Sequence, residues 1–297
     1  MMLGAPVQGS IRVFLESKMQ NYQTRFLVGV TPPEFRQHIE TLLTVKDGSM
    51  EGFVDSSMQR DLSVKFHWGH NHDFGDFEVQ GRMGTRHIDL LAAFIDQFRA
   101  LPADLTGKRI LDIGCWTGGT SLLLCALGAE VLAIEEVKKY SEAVAYLKQS
   151  FGLSRLEVRH TSLFDCTTPE FQDAFDFVLF AGVIYHVTDP VLALRITFNC
   201  LRDGGRCLVE TYAHDSKLRL LEYQGPAVLG PGSEQQLNRG GWNWFVPSPG
   251  ALSQMMEDVG FQDVVASQVV NSRAFAVGTR RRHIDFMRAG LSARHTR

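Results

Sequence analysis

The stretch ILDIGCWTGG, residues 110–119, sets an apolar run against a pair of glycines and holds a tryptophan between them. A strand that ends in glycines and passes at once into a helix (TSLLLCALGA, 120–129) brings a ligand to the carboxyl end of a sheet. There the helix N-terminus presents its free N–H groups. Downstream, short β-type runs alternate with helical ones: EVLAIE, then KYSEAVAYLKQSFG; LEVRHT; FDFVLFAGV, then PVLALRITFNCL; and GRCLVETYA. That alternation predicts a parallel sheet flanked by helices. FVPSPGALSQMMEDVGF reads as a helix ending at Gly260, with Ser248 as its cap and Pro249 in its first turn. FQDVVASQVV and AFAVGTR are separated only by Asn271, Ser272 and Arg273 and are expected to pair as an antiparallel hairpin on the sheet edge. Upstream, helical stretches such as IDLLAAFIDQFRAL (88–101) flank the polar, glycine-bearing FHWGHNHDFGDFEVQGRMGTRH (66–87). The expected organisation is a helical cap and lid over residues 1–105 and a ligand-binding α/β core over 106–297.

Composition limits the function classes. A hydrophobic fraction of 44% with 21% charged residues is that of an ordinary globular enzyme. No apolar run approaches the ~18–20 residues of a membrane span, and MMLGAPVQGSIRVFLESKMQ lacks the basic flank and apolar core of a secretion signal, so a cytoplasmic location is expected. Five cysteines, an odd number without a CxxC pair, argue against a disulfide framework and a zinc site. A net charge of −3 supplies no global attraction to nucleic acid. The exception is the basic C-terminal TRRRHIDFMRAGLSARHTR, read as a solvated tail, with a phosphate-contacting patch as the sharper alternative.

The glycine loop narrows the ligand. Dinucleotide sites need G-x-G-x-x-G, whose second glycine lets the backbone approach a pyrophosphate; here Trp116 stands at that place. A P-loop is excluded because no G-K-[ST] follows. A cofactor without phosphates remains, with Asp112 supplying a carboxylate near its amino group, and S-adenosylmethionine has that charge pattern. Trp116 is expected to turn its side chain away from the cofactor, since the glycines on both sides leave the backbone free. Glu135 ends the next apolar run about twenty residues on, where an acid accepts both hydroxyls of a ribose.

Together with FDFVLFAGVIYHVTDP, LVETYAHD, NWFVPSPGALSQMMEDVGF and SRAFAVGTR, the loop resembles class I S-adenosylmethionine-dependent methyltransferases. Within them it is similar to the group containing the tRNA wobble-uridine carboxymethyltransferases and related small-molecule methyltransferases. The resemblance runs from about Phe66 to Arg280 and implies a Rossmann-like methyltransferase sheet, mostly parallel, with a C-terminal antiparallel hairpin and an N-terminal helical cap and lid. It implies that Asp112, Gly114 and Gly118 line the methionine part, Glu135 the ribose, and Ser162 with Leu163 the adenine edge, with Cys115 and Ala181 also in the cofactor set. Tyr185 and His186 then face the transferred methyl, and Arg273 matches an arginine that the family places in its final hairpin near the site. Trp68, Tyr212 and Trp244 join Arg273 as expected substrate contacts, and Trp242 and Phe245 as a further pocket wall.

Two departures shape the functional expectation. Trp116 stands where the wobble-uridine enzymes have glycine. Those enzymes also hold a carboxylated cofactor partly by a lysine upstream of the loop, and no lysine lies between Lys65 and Lys108. Without that partner a carboxylate is costly to bury, so ordinary S-adenosylmethionine and methyl transfer to a small-molecule acceptor, in specialised metabolism, are expected. A tRNA wobble-uridine modifying (carboxy)methyltransferase is the alternative, and a non-catalytic cofactor-binding subunit the second. Because the sulfonium is already activated, the protein chiefly aligns the acceptor and excludes water. His186 is the first candidate for a base and His214 the second; Tyr185 is expected to shape the pocket. The resemblance places FHWGHNHDFGDF in a lid, where Trp68, Phe74 and Phe77 would give an aromatic inner face and Arg82 or Arg86 would meet an anionic group. His67, His70 and His72 near Asp73 and Asp76 fit no common zinc spacing, so no metal is expected. The sequence leaves room for a homo-oligomer.

Overall fold

A computed structural model describes residues 8–43, 66–224 and 243–281. Its centre is a seven-stranded sheet built from β3 (Arg109–Ile113), β4 (Glu130–Glu135), β5 (Leu156–His160), β6 (Phe175–Ala181), β7 (Leu201–Tyr212), β10 (Gln262–Ala266) and β11 (Arg273–Thr279). The strand order is β10-β11-β7-β6-β3-β4-β5. β3 with β6, β4 with β5, and β6 with β7 run parallel, whereas β11 is antiparallel to both β7 and β10. The mostly parallel sheet with its antiparallel hairpin is the architecture expected from the sequence. Strands covered on both faces need apolar residues at successive positions rather than alternating ones, and β6 (FDFVLFA) is buried at all but its last residue.

The chain divides into two compact units, and it crosses from one to the other within the glycine loop, after Gly114. Among the described residues the first unit holds 8–43, 66–108 and 115–160. Here α1 (Gln8–Met19) is tied to α3 (Arg86–Ala92) by Arg12, which pairs with Asp89 and donates to the Thr85 hydroxyl at 2.9 Å. α3 opens two residues before the expected Ile88 and continues over Ala93–Gln97 as a widened π turn, closed by Phe98 N–H to the Ala93 carbonyl at 3.0 Å. α2 (Pro32–Leu43) buries Phe35, which meets Phe74 edge-on at 5.1 Å and Phe151 at 5.5 Å. α4 (Gly119–Ala126) and α5 (Lys138–Ser150) complete this unit.

The second unit holds residues 109–114, 161–224 and 243–281. In it α6 (Pro190–Cys200) links β6 to β7, and β8 (Leu221–Tyr223) pairs antiparallel with β9 (Phe245–Pro247). α7 (Pro249–Val259) starts on the Ser248 hydroxyl, which accepts from Ala251 N–H at 3.2 Å, and stops at Gly260 with φ 118°. Both ends are as the sequence indicates. The hairpin turn is tighter than expected, because Arg273 already belongs to β11. Only Asn271 and Ser272 form the loop, both with positive φ (50° and 60°), and Val270 and Arg273 exchange backbone bonds of 2.9 and 3.0 Å. Positive φ at both central residues is the turn whose twist matches paired strands.

Trp242 and the basic C-terminal stretch from Arg282 onward lie outside the described residues. Among the described residues no helix is long and apolar enough to cross a membrane.

Candidate active site

In the first unit the site is built on the second half of the glycine loop. Cys115 is buried and its N–H donates to the Ile134 carbonyl at 3.1 Å, holding the loop against the end of β4. Gly118, with φ 81°, precedes α4, and a Cβ there would come within 3.0 Å of both Val144 methyls. Between them Trp116 also adopts a left-handed backbone, φ 53°, which costs a non-glycine residue about 1–2 kcal/mol. Its N–H donates to Glu135 Oε2 at 2.8 Å, while Glu135 Oε1 accepts from Val137 N–H at 3.0 Å. The Glu136 backbone N–H also bonds this carboxylate; an ionised carboxylate offers about four acceptor positions, so about one remains for a donor such as a ribose hydroxyl. Burial pushes the Glu135 carboxyl up to about 7, against the three backbone bonds that favour its charge.

The Trp116 indole answers what a tryptophan does in such a loop. It lies under Gly69, where a Cβ would come within 2.7 Å of the ring, and meets Tyr140 at 6.1 Å and 86°. The buried Tyr140 hydroxyl accepts from the indole N–H and from the His67 backbone N–H. Gly69 N–H donates to Thr117 Oγ1 at 2.9 Å, and a Cβ on Gly119 would meet His70 Nδ1 at 2.7 Å. Residues 67–70 therefore lie directly on the glycine loop.

Behind this contact the histidines fall into place. The His70 and His87 rings meet at 4.6 Å with a 46° tilt, His72 and His87 stand 6.4 Å apart, and no ring nitrogen of His72 or His87 has a hydrogen-bond partner. Burial, with the neighbouring His72 and Arg86, pulls His70 down to about 3; burial alone brings His72 to about 4. Trp68, an expected substrate contact, is enclosed between Phe66, His72 and Phe74 and only 3% exposed. Among the described residues no three His, Cys, Asp or Glu side chains are placed to hold a metal ion.

In the second unit Asp112 is buried at the end of β3, and Gly114 has φ 69° with Val183 Cγ2 2.5 Å from where a Cβ would stand. Ser162 caps a short turn by accepting from Phe164 N–H at 3.3 Å, with Leu163 buried beside it, and Ala181 is half-buried at the end of β6. Tyr185 and His186 follow on a 3-10 turn, their rings 4.0 Å apart. Arg273 stands directly across from Tyr212 in the β11–β7 ladder; its guanidinium lies over the rings of Tyr185 (5.2 Å) and Tyr212 (5.8 Å). Arg273 Nε is 3.5 Å from Glu210 Oε1, and its buried Nη1 has no partner. Trp244 joins this corner through its N–H to the Tyr185 carbonyl at 2.8 Å. His214 is apart from it, 42% exposed, with Nε2 3.6 Å from Glu222 Oε2.

Glu210, at the end of the GRCLVETYA run, is a functional residue that the sequence analysis did not single out. It is 2% exposed. The available signal was its register, since it lies two residues before Tyr212 on the same face of β7.

The family of methyltransferase domains matches residues 84–266, and the chain belongs to it. It therefore carries a methyltransferase domain. The tRNA U34 carboxymethyltransferase of Desulfotalea psychrophila is 32% identical over 162 residues, 54% of this chain and 47% of that protein. Phosphoethanolamine N-methyltransferase 1 of Arabidopsis thaliana is 28% identical over 63% of this chain and 34% of its own length. The chain spans about half the length, or less, of the curated relatives it matches. Phosphoethanolamine N-methyltransferase 2 of Haemonchus contortus, solved with phosphomonomethylethanolamine and S-adenosylhomocysteine, shares the fold with a TM-score of 0.51 at 14% identity, over 65% of this chain and 52% of that one. The N-terminal domain of EvdMO1, solved with S-adenosylhomocysteine and D-fucose, does so at 0.53 and 18%, over 73% and 91%.

Proposed function

We propose that this chain transfers the methyl group of ordinary S-adenosylmethionine to a small-molecule acceptor. The observation that carries the reading is the Arg273–Glu210 pair. A guanidinium already faced by a buried carboxylate gives its corner no net positive charge. A carboxylated donor would meet there the unpartnered Nη1 and no lysine from residues 66–107. Transfer from an ordinary sulfonium requires no such charge.

In the first unit Glu135 takes a ribose hydroxyl on its remaining acceptor position, and Cys115 and Gly118 give the backbone approach. In the second, Asp112 and Gly114 serve the methionine part, Ser162 and Leu163 the adenine edge, and Ala181 the end of β6. Tyr185, Tyr212, Trp244 and Arg273 orient the acceptor, with the Arg273 Nη1 donor offered to one of its oxygens. His186 removes a proton where the acceptor is a hydroxyl or an activated carbon. His214, half-buried and beside Glu222, is the weaker candidate for that role.

The second reading, carboxymethyl transfer to tRNA, is favoured by the 32% identity to the carboxymethyltransferase and by the free Arg273 donor. Calorimetric titration with S-adenosylmethionine and with carboxy-S-adenosylmethionine separates the two. The small-molecule reading expects the carboxylated form to bind no better. A tenfold preference for it, about 1.4 kcal/mol, would overturn that reading and make Arg273 the carboxylate's partner.

A further inference from the structure

We propose that Trp116 is a positioning residue: its indole fastens residues 67–70 to the glycine loop, and its backbone N–H sets the Glu135 carboxylate for the cofactor ribose. The inference rests on the S-adenosylmethionine reading for its ligand, but its geometry lies wholly within the first unit.

Four contacts converge on this one side chain. The indole closes against Gly69 so tightly that only glycine fits opposite it. Its ring stands edge-on to Tyr140 at 86° and to His70 at 72°. Its N–H shares the Tyr140 hydroxyl with the His67 backbone, so one acceptor joins the loop, α5 and the upstream segment. The same residue's amide holds Glu135 Oε2 at 2.8 Å. A left-handed backbone at a bulky residue persists only where its surroundings over-determine it, and glycine would adopt φ 53° freely. The strain is explained if the indole's contacts are what the loop needs. Releasing residues 67–70 would uncover Glu135 and leave the Trp116 amide free to turn, so docking of the segment and ribose binding become one equilibrium.

The titration of Glu135 reports the state of this clamp. Its titratable neighbours are Glu136 and Tyr140, with Arg82 facing the Tyr140 hydroxyl. With burial raising the carboxyl to about 7, the ionised form that accepts ribose hydroxyls is lost as pH falls through that value. Cofactor affinity therefore falls about tenfold between pH 8 and pH 6.

The test is carboxyl NMR on protein labelled with 13C-glutamate, Glu135 being assigned by its absence in Glu135→Gln, together with calorimetry using S-adenosylhomocysteine. Trp116→Gly is expected to lower the Glu135 midpoint by a unit or more and weaken S-adenosylhomocysteine at least tenfold. Gly69→Ala alters neither Trp116 nor Glu135, yet drives a Cβ into the indole, and should shift both quantities in the same direction. Trp116→Phe keeps a ring under Gly69 and should retain most of both. A native midpoint and native affinity in Trp116→Gly overturn the proposal; if that variant does not fold, the same result in Gly69→Ala does so. Failure of the native protein to bind S-adenosylhomocysteine, with the midpoint still moving in the variants, sinks the cofactor reading and the positioning role with it. A midpoint that stays fixed sinks the clamp itself.

Discussion

His186 stands beside Tyr185 on a short turn after β6, and the Tyr185 ring faces Tyr212 at 6.2 Å and carries the Arg273 guanidinium. Under the proposed function this is where a proton acceptor serves the methyl acceptor. The sulfonium needs no base for its own activation, so His186 matters in proportion to how firmly the acceptor holds its proton. His186→Ala is expected to leave S-adenosylhomocysteine affinity within about twofold while lowering methyl transfer by ~10² to 10⁴, the usual scale of proton-transfer assistance. A histidine kept for packing would behave differently: its truncation should lower the melting temperature and weaken cofactor and acceptor together. His186→Asn separates these outcomes, since it retains a hydrogen bond and cannot act as a base near neutrality. Full turnover in folded His186→Asn would leave positioning by Tyr185 and Arg273 as the mechanism.

At the scale of elements, what the sequence made legible is what local chemistry dictates. Ser248, Pro249 and Gly260 each satisfy a backbone requirement of α7, and the continuous apolar runs of β3 and β6 follow from burial on both faces. What it concealed depends on distant partners. The π turn at Ala93–Gln97 has the composition of an ordinary helix end, and Glu210 is buried because Arg273 lies on the next strand. Trp116 could be placed in the loop from sequence, but its cover, Gly69, is 47 residues away in the chain. The stretch 66–87 reads as an open polar loop, yet it encloses His72 and His87 and half-buries His70, with β1 (His72–Asp73) paired to β2 (Glu78–Val79). That enclosure predicts acid lability. The unfolded chain protonates these histidines near pH 6.5, whereas in the fold His70 and His72 wait until about 3 and 4, and burial keeps His87 well below its usual value. Unfolding thus takes up about three protons below pH 6.5, offset by about one that the folded Glu135 already holds between its ordinary value and about 7. Stability should fall by about 2–3 kcal/mol per pH unit between pH 6 and 5, measured by denaturant unfolding. His72→Phe should make that slope shallower by about one proton; a flat profile from pH 7 to 5 would show that the histidines are hydrated rather than enclosed.

For the whole molecule, the choice of acceptor is a question of charge and extent. Nucleic-acid binding draws its affinity from neutralised phosphates, and the net charge of −3 supplies no such field. The chain also aligns with about half of the tRNA-modifying relative, so the family membership carries the methyl-transfer chemistry without carrying that protein's whole recognition surface. The corner formed by Tyr185, Tyr212 and Arg273 presents aromatic faces and an unpartnered guanidinium Nη1, which suits a compact acceptor bearing an oxygen. Incubating the protein with S-adenosylmethionine tritiated on its methyl, together with total RNA and a metabolite extract in separate reactions, puts this to the test. Label is expected in the small-molecule fraction and not in RNA, and binding to unmodified tRNA should be no tighter than the ~10⁻⁴ to 10⁻⁶ M of non-specific nucleic-acid contacts. Label recovered in a wobble uridine, with tRNA binding at nanomolar concentrations that weakens steeply with salt, would transfer the assignment to the tRNA reading.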